Sequence, residues 1–339
     1  MKTLGRKPSA TRLARFQKSP YYKNGVFENL NHTSVMQNVS SAKIAYDFLL
    51  SRNFTTPKQD IPSIRTDLHT LADDKPTLVW FGHSSYLIKY KGFNILVDPV
   101  FSGHASPVSF MVRSFNGANT YQASDMPEID MLIITHDHYD HLDYKSILAL
   151  KDKIKHIYTP LGVGDHLEHW GIPTEKITEF DWWQSKIVND TIKLTATPTR
   201  HFSGRGIKRS ETLWAAFVLE LADKKIFIGG DSGYDDTFKE IGKKFESFDL
   251  AILECGQYHI NWPNIHMFPE QTAQAAKDLN AKALLPVHWA KFALSLHSWN
   301  DPITRVQAAA KELNIPITTP IIGEPVILPT TLPNTQWWL

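Results

Sequence analysis

Side chains that bind metal ions are concentrated in one short run of the chain. The run Thr135-His136-Asp137-His138-Tyr139-Asp140-His141 directly follows an apolar stretch, residues 131–134, which is typical of a buried strand. Imidazoles two positions apart can converge on one ion, while the last carboxylate and imidazole can face a second ion about 3.5 to 4 Å away. Histidine mixed with carboxylate favours zinc, with iron or manganese as alternatives. The run therefore predicts a metal centre with four ligands, His136, His138, Asp140 and His141.

The other ligands of a two-ion centre must come from other strand ends, since two ions need about seven ligands. Three further strand candidates, residues 192–196, 225–228 and 283–287, are each followed closely by one potential ligand, namely His201, Asp231 and His288. His201 would join His136 and His138 on one ion, His288 would join Asp140 and His141 on the other, and Asp231 would bridge both. Taken singly, the two histidines could be satisfied core residues and Asp231 a turn residue.

A centre of this kind predicts hydrolysis by an activated water. Two cations lower the pKa of a shared water from near 15.7 towards roughly 7, so that a hydroxide is available at neutral pH. The hydroxide could attack a phosphodiester in line or a lactone carbonyl. The predicted catalytic side chains are Asp231, Asp140 as a proton shuttle, and His266, which precedes a predicted helix start at Pro269. His266 could contact the phosphate or the leaving group, and capping of that helix is its competing role.

Other polar residues near the motif are candidates for supporting roles. Asp137, His83 and Asp98 could orient the ligands, because a ligating imidazole usually donates its second N–H to a carboxylate or carbonyl. A buried structural hydrogen-bonded pair is the alternative for His83 and Asp98. Arg205 and Lys208 follow His201 and could meet an anionic substrate, or they could be surface charges.

Composition limits the class of protein. The 339 residues, 42% of them hydrophobic, suffice for one large core. A net charge of +1, from 36 basic and 35 acidic residues, gives no field that would recruit nucleic acid. The single cysteine, Cys255, excludes a disulfide framework and a thiolate metal cluster. With no apolar stretch of roughly 18 residues and no apolar signal core, we expect a cytoplasmic protein.

The chain divides into an N-terminal extension, residues 1–76, and a catalytic domain, residues 77–339. The extension contains a basic arm over residues 1–24, a short helix over 40–51 and a polar connection over 52–76. We expect the arm to be solvated and partly mobile, or to contact a lipid phosphate or another anion. Strand and helix patterns are mixed throughout the domain. Strand candidates lie at 78–81, 86–90, 93–97, 131–134, 156–159, 192–196, 214–221, 225–228, 250–253 and 283–287, and helix candidates at 146–151, 269–279 and 303–313.

The order of these motifs resembles the metallo-β-lactamase superfamily over roughly residues 77–330. The resemblance rests on the run 136–141 followed by His201, Asp231 and His288. It implies an α+β fold, the αβ/βα sandwich, in which two packed sheets are covered by helices and metals bind at one edge. Aspartate at 231, where many β-lactamases of this fold have cysteine, argues against lactam cleavage.

Finer motifs are similar to the N-acyl-phosphatidylethanolamine phospholipase D family. They include Phe81-Gly82-His83-Ser84-Ser85, Val97-Asp98-Pro99, Pro198-x-x-His201, His266-Met267-x-Pro269-Glu270 and Val287-His288-Trp289. This resemblance implies a phospholipase D-type phosphodiesterase acting on a small-molecule or lipid diester, with possible peripheral membrane contact. The Gly82-His83 and Asp98-Pro99 features also occur in the ascorbate-6-phosphate lactonase-like branch, so a lactonase or carboxyl-ester hydrolase is the alternative. A non-catalytic metal-binding protein is a third hypothesis.

Aromatic and apolar residues near the predicted site loops bear on the substrate. They are Phe110, Met111, Trp182, Trp183, Trp262, Trp289 and Trp299. An apolar groove for a lipid would explain them, and simple core packing is the alternative. The sequence does not define the oligomeric state, the head group or the acyl chain.

Overall fold

The architecture was obtained from a computed structural model, which describes residues 2–37, 40, 43, 44, 46, 47, 50 and 54–339. Half of the residues of the helix predicted over 40–51 lie outside the described residues. A short hairpin of β1 (Tyr22–Lys23) and β2 (Val26–Phe27) precedes the two large sheets.

The first half of the domain forms a seven-stranded sheet in the order β15-β3-β4-β5-β6-β7-β8. Its strands are β3 (Thr77–Trp80), β4 (Tyr86–Tyr90), β5 (Phe93–Val97), β6 (Met131–Ile133), β7 (Ile157–Pro160), β8 (Ile177–Phe180) and β15 (Pro325–Ile327). Strands β3, β4 and β5 pair antiparallel, whereas β5 to β8 run parallel. The carboxyl ends of the parallel strands therefore meet at one edge.

The second half forms a six-stranded sheet in the order β14-β13-β12-β11-β10-β9. Its strands are β9 (Ser185–Asn189), β10 (Ile192–Thr197), β11 (Ala216–Leu221), β12 (Lys224–Ile228), β13 (Leu250–Glu254) and β14 (Leu284–Val287). As in the first sheet, an antiparallel meander, β9 to β12, is continued by parallel strands, β12 to β14.

Alternation of side chains along the strands explains how the layers pack. In β3, Leu78 and Trp80 lie in the core between the sheets, whereas Val79 packs on the outer side with α2 (Tyr144–Leu150) and α3 (Val163–His169). Successive strand residues face opposite sides of a sheet, so one strand serves both cores.

Other helices are α1 (Ala10–Phe16), α4 (Thr237–Phe245), α5 (Pro269–Asp278) and α6 (Asp301–Glu312). The α+β sandwich is thus confirmed.

The ten strand candidates and three helix candidates are confirmed, with ends within two residues of the predictions. The sequence patterns did not indicate α1, α3 and α4, or the strands β1, β2, β8, β9 and β15. These elements carry weak or short signals: β9 is a five-residue edge strand with mostly exposed residues, and α4, although amphipathic, has a glycine, Gly242, in its interior. No helix among the described residues is long and apolar enough to cross a membrane.

The N-terminal residues differ from the predicted solvated arm. Phe16 is fully buried in the core between the sheets, where its ring contacts Tyr22 and Phe27. Three of the arm's arginines are engaged by carboxylates of the catalytic domain, through ion pairs of Arg6, Arg12 and Arg15 with Asp165, Glu168 and Glu179. The basic charges of this segment are therefore used to attach it.

Candidate metal centre

Loops at one edge of the sandwich bring the predicted ligands together. The run 136–141 follows β6, while His201, Asp231 and His288 follow β10, β12 and β14. The chain before Asp231 can pass close to strand β13 because Gly229 has no side chain: a Cβ at this position would lie 2.8 Å from the Ile252 carbonyl oxygen. The parallel strand ends thus place residues from distant parts of the chain in one site.

The first cluster consists of His136, His138 and His201. The Nδ1 atom of His138 lies 2.9 Å from His136 Nε2 and 3.2 Å from His201 Nε2. Ligand atoms around a tetrahedral zinc ion are about 3.3 Å apart, given bonds of about 2.0 to 2.1 Å. One atom from each of these histidines and one from Asp231 lie within 4.8 Å of one another. The three imidazoles therefore fit a single ion.

The second cluster consists of Asp140, His141 and His288. His141 Nε2 lies 3.6 Å from Asp140 Oδ2, and His288 Nε2 lies 3.9 Å from the same oxygen. His83 lies in the same group of potential ligand atoms, and its Nε2 is 2.9 Å from Asp140 Oδ2. This cluster also has the spacing of an ion-binding site.

Asp231 lies between the two clusters, with one oxygen facing each. Its Oδ2 is 3.7 Å from both His136 Nε2 and His201 Nε2. Its Oδ1 is 3.2 Å from His141 Nε2 and 3.3 Å from His288 Nδ1. Within the described part of the chain, Asp231 Oδ1, His141 Nε2 and His288 Nε2 have no hydrogen-bond partner although they are buried. Buried polar atoms are nearly always satisfied, so these residues fit a bound cation.

The electrostatics of the centre suit cation binding. Burial lowers the pKa of His136, His201 and His288 well below the ordinary range, which keeps their ring nitrogens unprotonated and able to bind a metal. Burial alone would raise the pKa of Asp231, but His141 and His288 outweigh it, so the pKa of this carboxyl is well below its ordinary value. The site therefore combines three neutral imidazoles with an ionised carboxylate, whereas the pKa of His141 is raised, because Asp231, Asp140 and Asp98 outweigh the lowering effect of burial.

Polar partners outside the clusters fix the ligand orientations. His141 Nδ1 is 2.7 Å from Asp98 Oδ2, and Asp98 is itself held by the backbone N–H and the hydroxyl of Thr135. His201 Nδ1 donates to the Ile265 carbonyl at 2.8 Å. Asp98 thus has the supporting position predicted for it, and it contacts a cluster histidine, not His83.

The loop after β3 supports the second cluster through two neighbouring residues. His83 bonds the carboxylate Asp140, not an imidazole, and Ser84 Oγ lies 2.9 Å from His288 Nδ1. The sequence analysis missed Ser84. Its place beside His83, in the motif Gly82-His83-Ser84, was the available signal.

Two predicted supporting residues lie away from the clusters. The Asp137 carboxylate accepts from Gly204, Thr212 and His166, and it contacts none of the candidate ligands. Arg205 is buried and donates to backbone carbonyls, so the prediction that it meets an anionic substrate or lies on the surface is wrong. Lys208, the other cation considered for the substrate, lies exposed on the surface and pairs with Glu211.

His266 lies beside both clusters. Its ring centroid is 5.1 Å from that of His201 and 5.3 Å from that of His288. Its Nδ1 lies 3.0 Å from Glu254 Oε2, and this carboxylate, missed by the sequence analysis, ends strand β13. Burial raises the pKa of Glu254 to about 7, and Glu254 in turn raises the pKa of His266 to about 9 against the opposing effect of burial. The cap of α5 is Phe268, so the capping role for His266 is wrong.

A cavity of about 270 Å³ opens onto these groups. Its lining includes members of both clusters, Asp231 and His266. The rest of its wall is mainly apolar and includes Val35, Met36, Ile44, Phe202, Trp262, Ile265 and Leu294. Arg209 also lines it and lies over the Phe202 ring. Of the predicted aromatic residues, only Trp262 lies here. Trp182 and Trp289 are core residues, and Phe110 and Met111 line a neighbouring groove that shares Leu294.

Comparison with known proteins identifies the family. The sequence model of the β-lactamase superfamily domain matches residues 93–289. The chain belongs to the metallo-β-lactamase superfamily. Among its relatives in this superfamily is an uncharacterized protein of Mycobacterium tuberculosis, 34% identical over 328 residues, which cover 95% of this chain and 88% of the relative. As a member of the superfamily, the protein is a metal-dependent hydrolase.

Two further similarities are to an enzyme sequence and to a solved structure. An N-acyl-phosphatidylethanolamine-hydrolyzing phospholipase D of Caenorhabditis elegans is 30% identical over 226 residues, with 63% of each chain covered. The solved structure of Igni18, a metallo hydrolase from Ignicoccus hospitalis, matches with a TM-score of 0.56 at 18% identity, covering 76% of this chain and all of that one. At 18% identity, the similarity to Igni18 shows a shared fold alone.

Proposed function

We propose that the protein is a two-metal phosphodiesterase of phospholipase D type that hydrolyses a lipid-like diester. The observation that carries the proposal is the position of Asp231, with one carboxylate oxygen toward each ligand cluster. The seven ligands would be His136, His138, Asp140, His141, His201, Asp231 and His288. Zinc suits this set, with iron or manganese as alternatives.

The ions and the side chains would have separate tasks. Two bound divalent ions would lower the pKa of a shared water towards about 7 and neutralise charge on the phosphate oxygens. Asp140, held at Oδ2 by His83, would accept the proton released by that water. His266 faces the cavity and would donate a proton from its ring to the leaving-group oxygen as the phosphorus–oxygen bond breaks. Glu254 would keep His266 protonated for this step.

The cavity wall supports an anionic substrate with an apolar part. Arg209 is an exposed cation in this wall and could pair with a phosphate oxygen that the ions do not contact. Met36, Ile44 and Trp262 offer apolar contacts beside the metal ligands, as an acyl chain requires. The phospholipase D of Caenorhabditis elegans with 30% identity supports the same substrate class.

The adjoining groove supports a peripheral contact with a lipid surface. Phe110 and Met111 are 72% and 51% exposed, and they lie across Leu294 from the metal cavity. Exposed apolar side chains beside a site often mark a surface that binds lipid or protein.

A substrate panel tests the proposal. The zinc-loaded protein should show a higher kcat/KM for a bis-aryl or lipid phosphodiester than for a phosphomonoester or a lactone. Metal analysis of the same sample should give two ions per chain. A lactone ranked first would overturn the phosphodiesterase assignment in favour of a lactonase.

The role of His266 predicts a pH effect that separates it from a structural histidine. In Glu254→Gln the carboxylate charge that raises the pKa of His266 is gone, so the alkaline limb of kcat should move to lower pH. Glu270→Gln, which alters an exposed carboxylate paired with Arg305, is the matched control. An unchanged alkaline limb in Glu254→Gln would exclude His266 as the proton donor.

A further inference from the structure

Asp137 lies inside the metal-binding run, yet its carboxylate points away from both clusters. Its Oδ1 accepts from the Gly204 N–H at 2.7 Å, and its Oδ2 accepts from the Thr212 hydroxyl at 2.9 Å. The same Oδ2 lies 3.2 Å from Nε2 of His166 on α3. Because Asp137 stands between His136 and His138, whatever holds its side chain also holds the backbone of the first cluster.

His166 connects Asp137 to the N-terminal residues. The Arg6 backbone N–H donates to His166 Nδ1 at 3.1 Å. A neutral imidazole whose Nδ1 accepts carries its hydrogen on Nε2, so the ring donates to Asp137. The Arg6 amide thus selects the tautomer that supports the metal-binding run.

Arg205 makes a second connection between the same two regions. One of its guanidinium nitrogens, Nη1, donates to the carbonyl of Asp137, inside the metal-binding run, and to that of Leu142, just after the run, each at 2.7 Å. Its Nε and Nη2 donate to the Thr3 carbonyl at 3.1 and 2.8 Å. The guanidinium also lies over the Tyr139 ring, 4.1 Å from its centroid.

The N-terminal residues are anchored independently of these two connections. The Arg6 side chain pairs with Asp165 and Glu168, each at 3.0 Å, and Trp170 Nε1 donates to the Lys2 carbonyl at 2.8 Å. All three partners lie on or next to α3. The segment is therefore held where its backbone meets His166 and Arg205.

We infer that residues 2–6 are a positioning element of the metal centre, and that they hold the run 136–142 in its ion-binding shape through His166 and Arg205. The inference rests on the proposed assignment of His136 and His138 as ligands. It gives the N-terminal extension a part in metal binding that neither its charge nor its distance along the chain indicates.

Gly5 offers a way to disturb this contact without changing the metal-binding run. Its φ is +71°, and an added Cβ would collide with the His166 ring. Gly25 has a similar φ of +80° with nothing within 4 Å of an added Cβ. Gly5→Ala and Gly25→Ala therefore carry comparable backbone strain, and only the first displaces the segment from His166.

Zinc affinity, measured by chelator competition on the full chain, tests the inference. Gly5→Ala should weaken one of the two zinc equivalents at least tenfold, the scale expected for partners outside the ligand set. Gly25→Ala should bind zinc like the wild type. The cobalt-substituted Gly5→Ala protein should show an altered ligand-field spectrum, which general destabilisation would not produce. Wild-type zinc affinity in Gly5→Ala, or an equal loss in Gly25→Ala, would overturn the inference.

Variants of His166 give a second, independent measurement. Gln can both accept from Arg6 and donate to Asp137, whereas Leu can do neither. His166→Gln should therefore bind zinc more tightly than His166→Leu, and equal affinities would contradict the inference. If the wild type binds two zinc ions but lacks phosphodiesterase activity, the proposed function fails while this inference stands.

Discussion

The two ligand clusters differ in what supports them. The second cluster is backed by buried side chains from neighbouring loops, since Asp98 bonds His141, Ser84 bonds His288 and His83 bonds Asp140. In the first cluster, His201 donates to the Ile265 carbonyl and His136 Nδ1 lies 3.1 Å from the Thr135 hydroxyl, so these two imidazoles have uncharged partners. A carboxylate partner makes an imidazole a better ligand than a carbonyl partner does. We therefore expect the second cluster to hold its ion more tightly.

Loss of Asp231 should have the largest effect, because it removes the residue that both clusters share. We expect Asp231→Ala to lose at least one metal and more than about 100-fold of kcat/KM, beyond the range for outer partners. Metal analysis and kinetics would measure this, with the exposed Asp236→Ala as control. A fully active Asp231→Ala protein with two bound metals would refute the assignment.

Removing one histidine from each cluster tests whether the clusters are separate sites. His201→Ala and His288→Ala should each reduce metal content towards one ion per chain. If the second cluster is the tighter one, the ion left in His201→Ala should resist a chelator longer than the ion left in His288→Ala. The reverse order would show that uncharged partners suffice, and unchanged metal content would show that the residue is not a ligand.

A smaller change tests the support of the second cluster directly. Asp98→Asn keeps the size of the side chain but removes the charge opposite His141, so we expect a 10- to 100-fold loss of metal affinity, roughly the range for such partners. Titration with zinc would measure it. Asp130→Asn, at the opposite end of the same parallel strands and paired with the exposed Lys155, should bind zinc normally. Loss of affinity in both variants would point to a general effect of charge.

The smallest expected effect concerns stability behind the second cluster. Lys291 is buried and donates to the carbonyls of Phe81 and Val100, which lie two residues from His83 and Asp98 respectively. Burial lowers its pKa from 10.5 to about 7. Between these values the unfolded chain binds more protons than the folded one, so this group makes the unfolding free energy rise with pH and ceases to do so above 10.5.

Replacement of Lys291 tests that sign. From pH 7.5 to 9.5 the wild type should gain about 2 kcal/mol relative to Lys291→Met, measured by urea unfolding. Lys243→Met, at an exposed helix position, should show no such relative change. Parallel pH curves for wild type and Lys291→Met would mean that Lys291 titrates alike in both states.

Much of this protein could be predicted from its sequence because the decisive signals are local. The run 136–141 places four potential ligands within six residues, and the periodic apolar stretches gave ten strands within two residues of their observed ends. Short elements such as β9 and α4 were missed for different reasons. Strand β9 is mostly exposed at the sheet edge and so lacks an apolar pattern, whereas α4 has the helix-disfavouring Gly242 inside an amphipathic segment of nine residues.

The contacts around the metal-binding run depend on the tertiary structure. Sequence spacing could not show that Asp231 presents one oxygen to each cluster, or that Glu254 lies behind His266, since these residues meet only where the parallel strands of the second sheet end together. Arg205 was predicted near an anion, but it is buried because the Thr3, Asp137 and Leu142 carbonyls satisfy its donors. The sequence alone determined which residue types could bind metal. Packing of segments far apart in the chain decided their orientation, because a buried polar group must find its partners wherever the fold brings them.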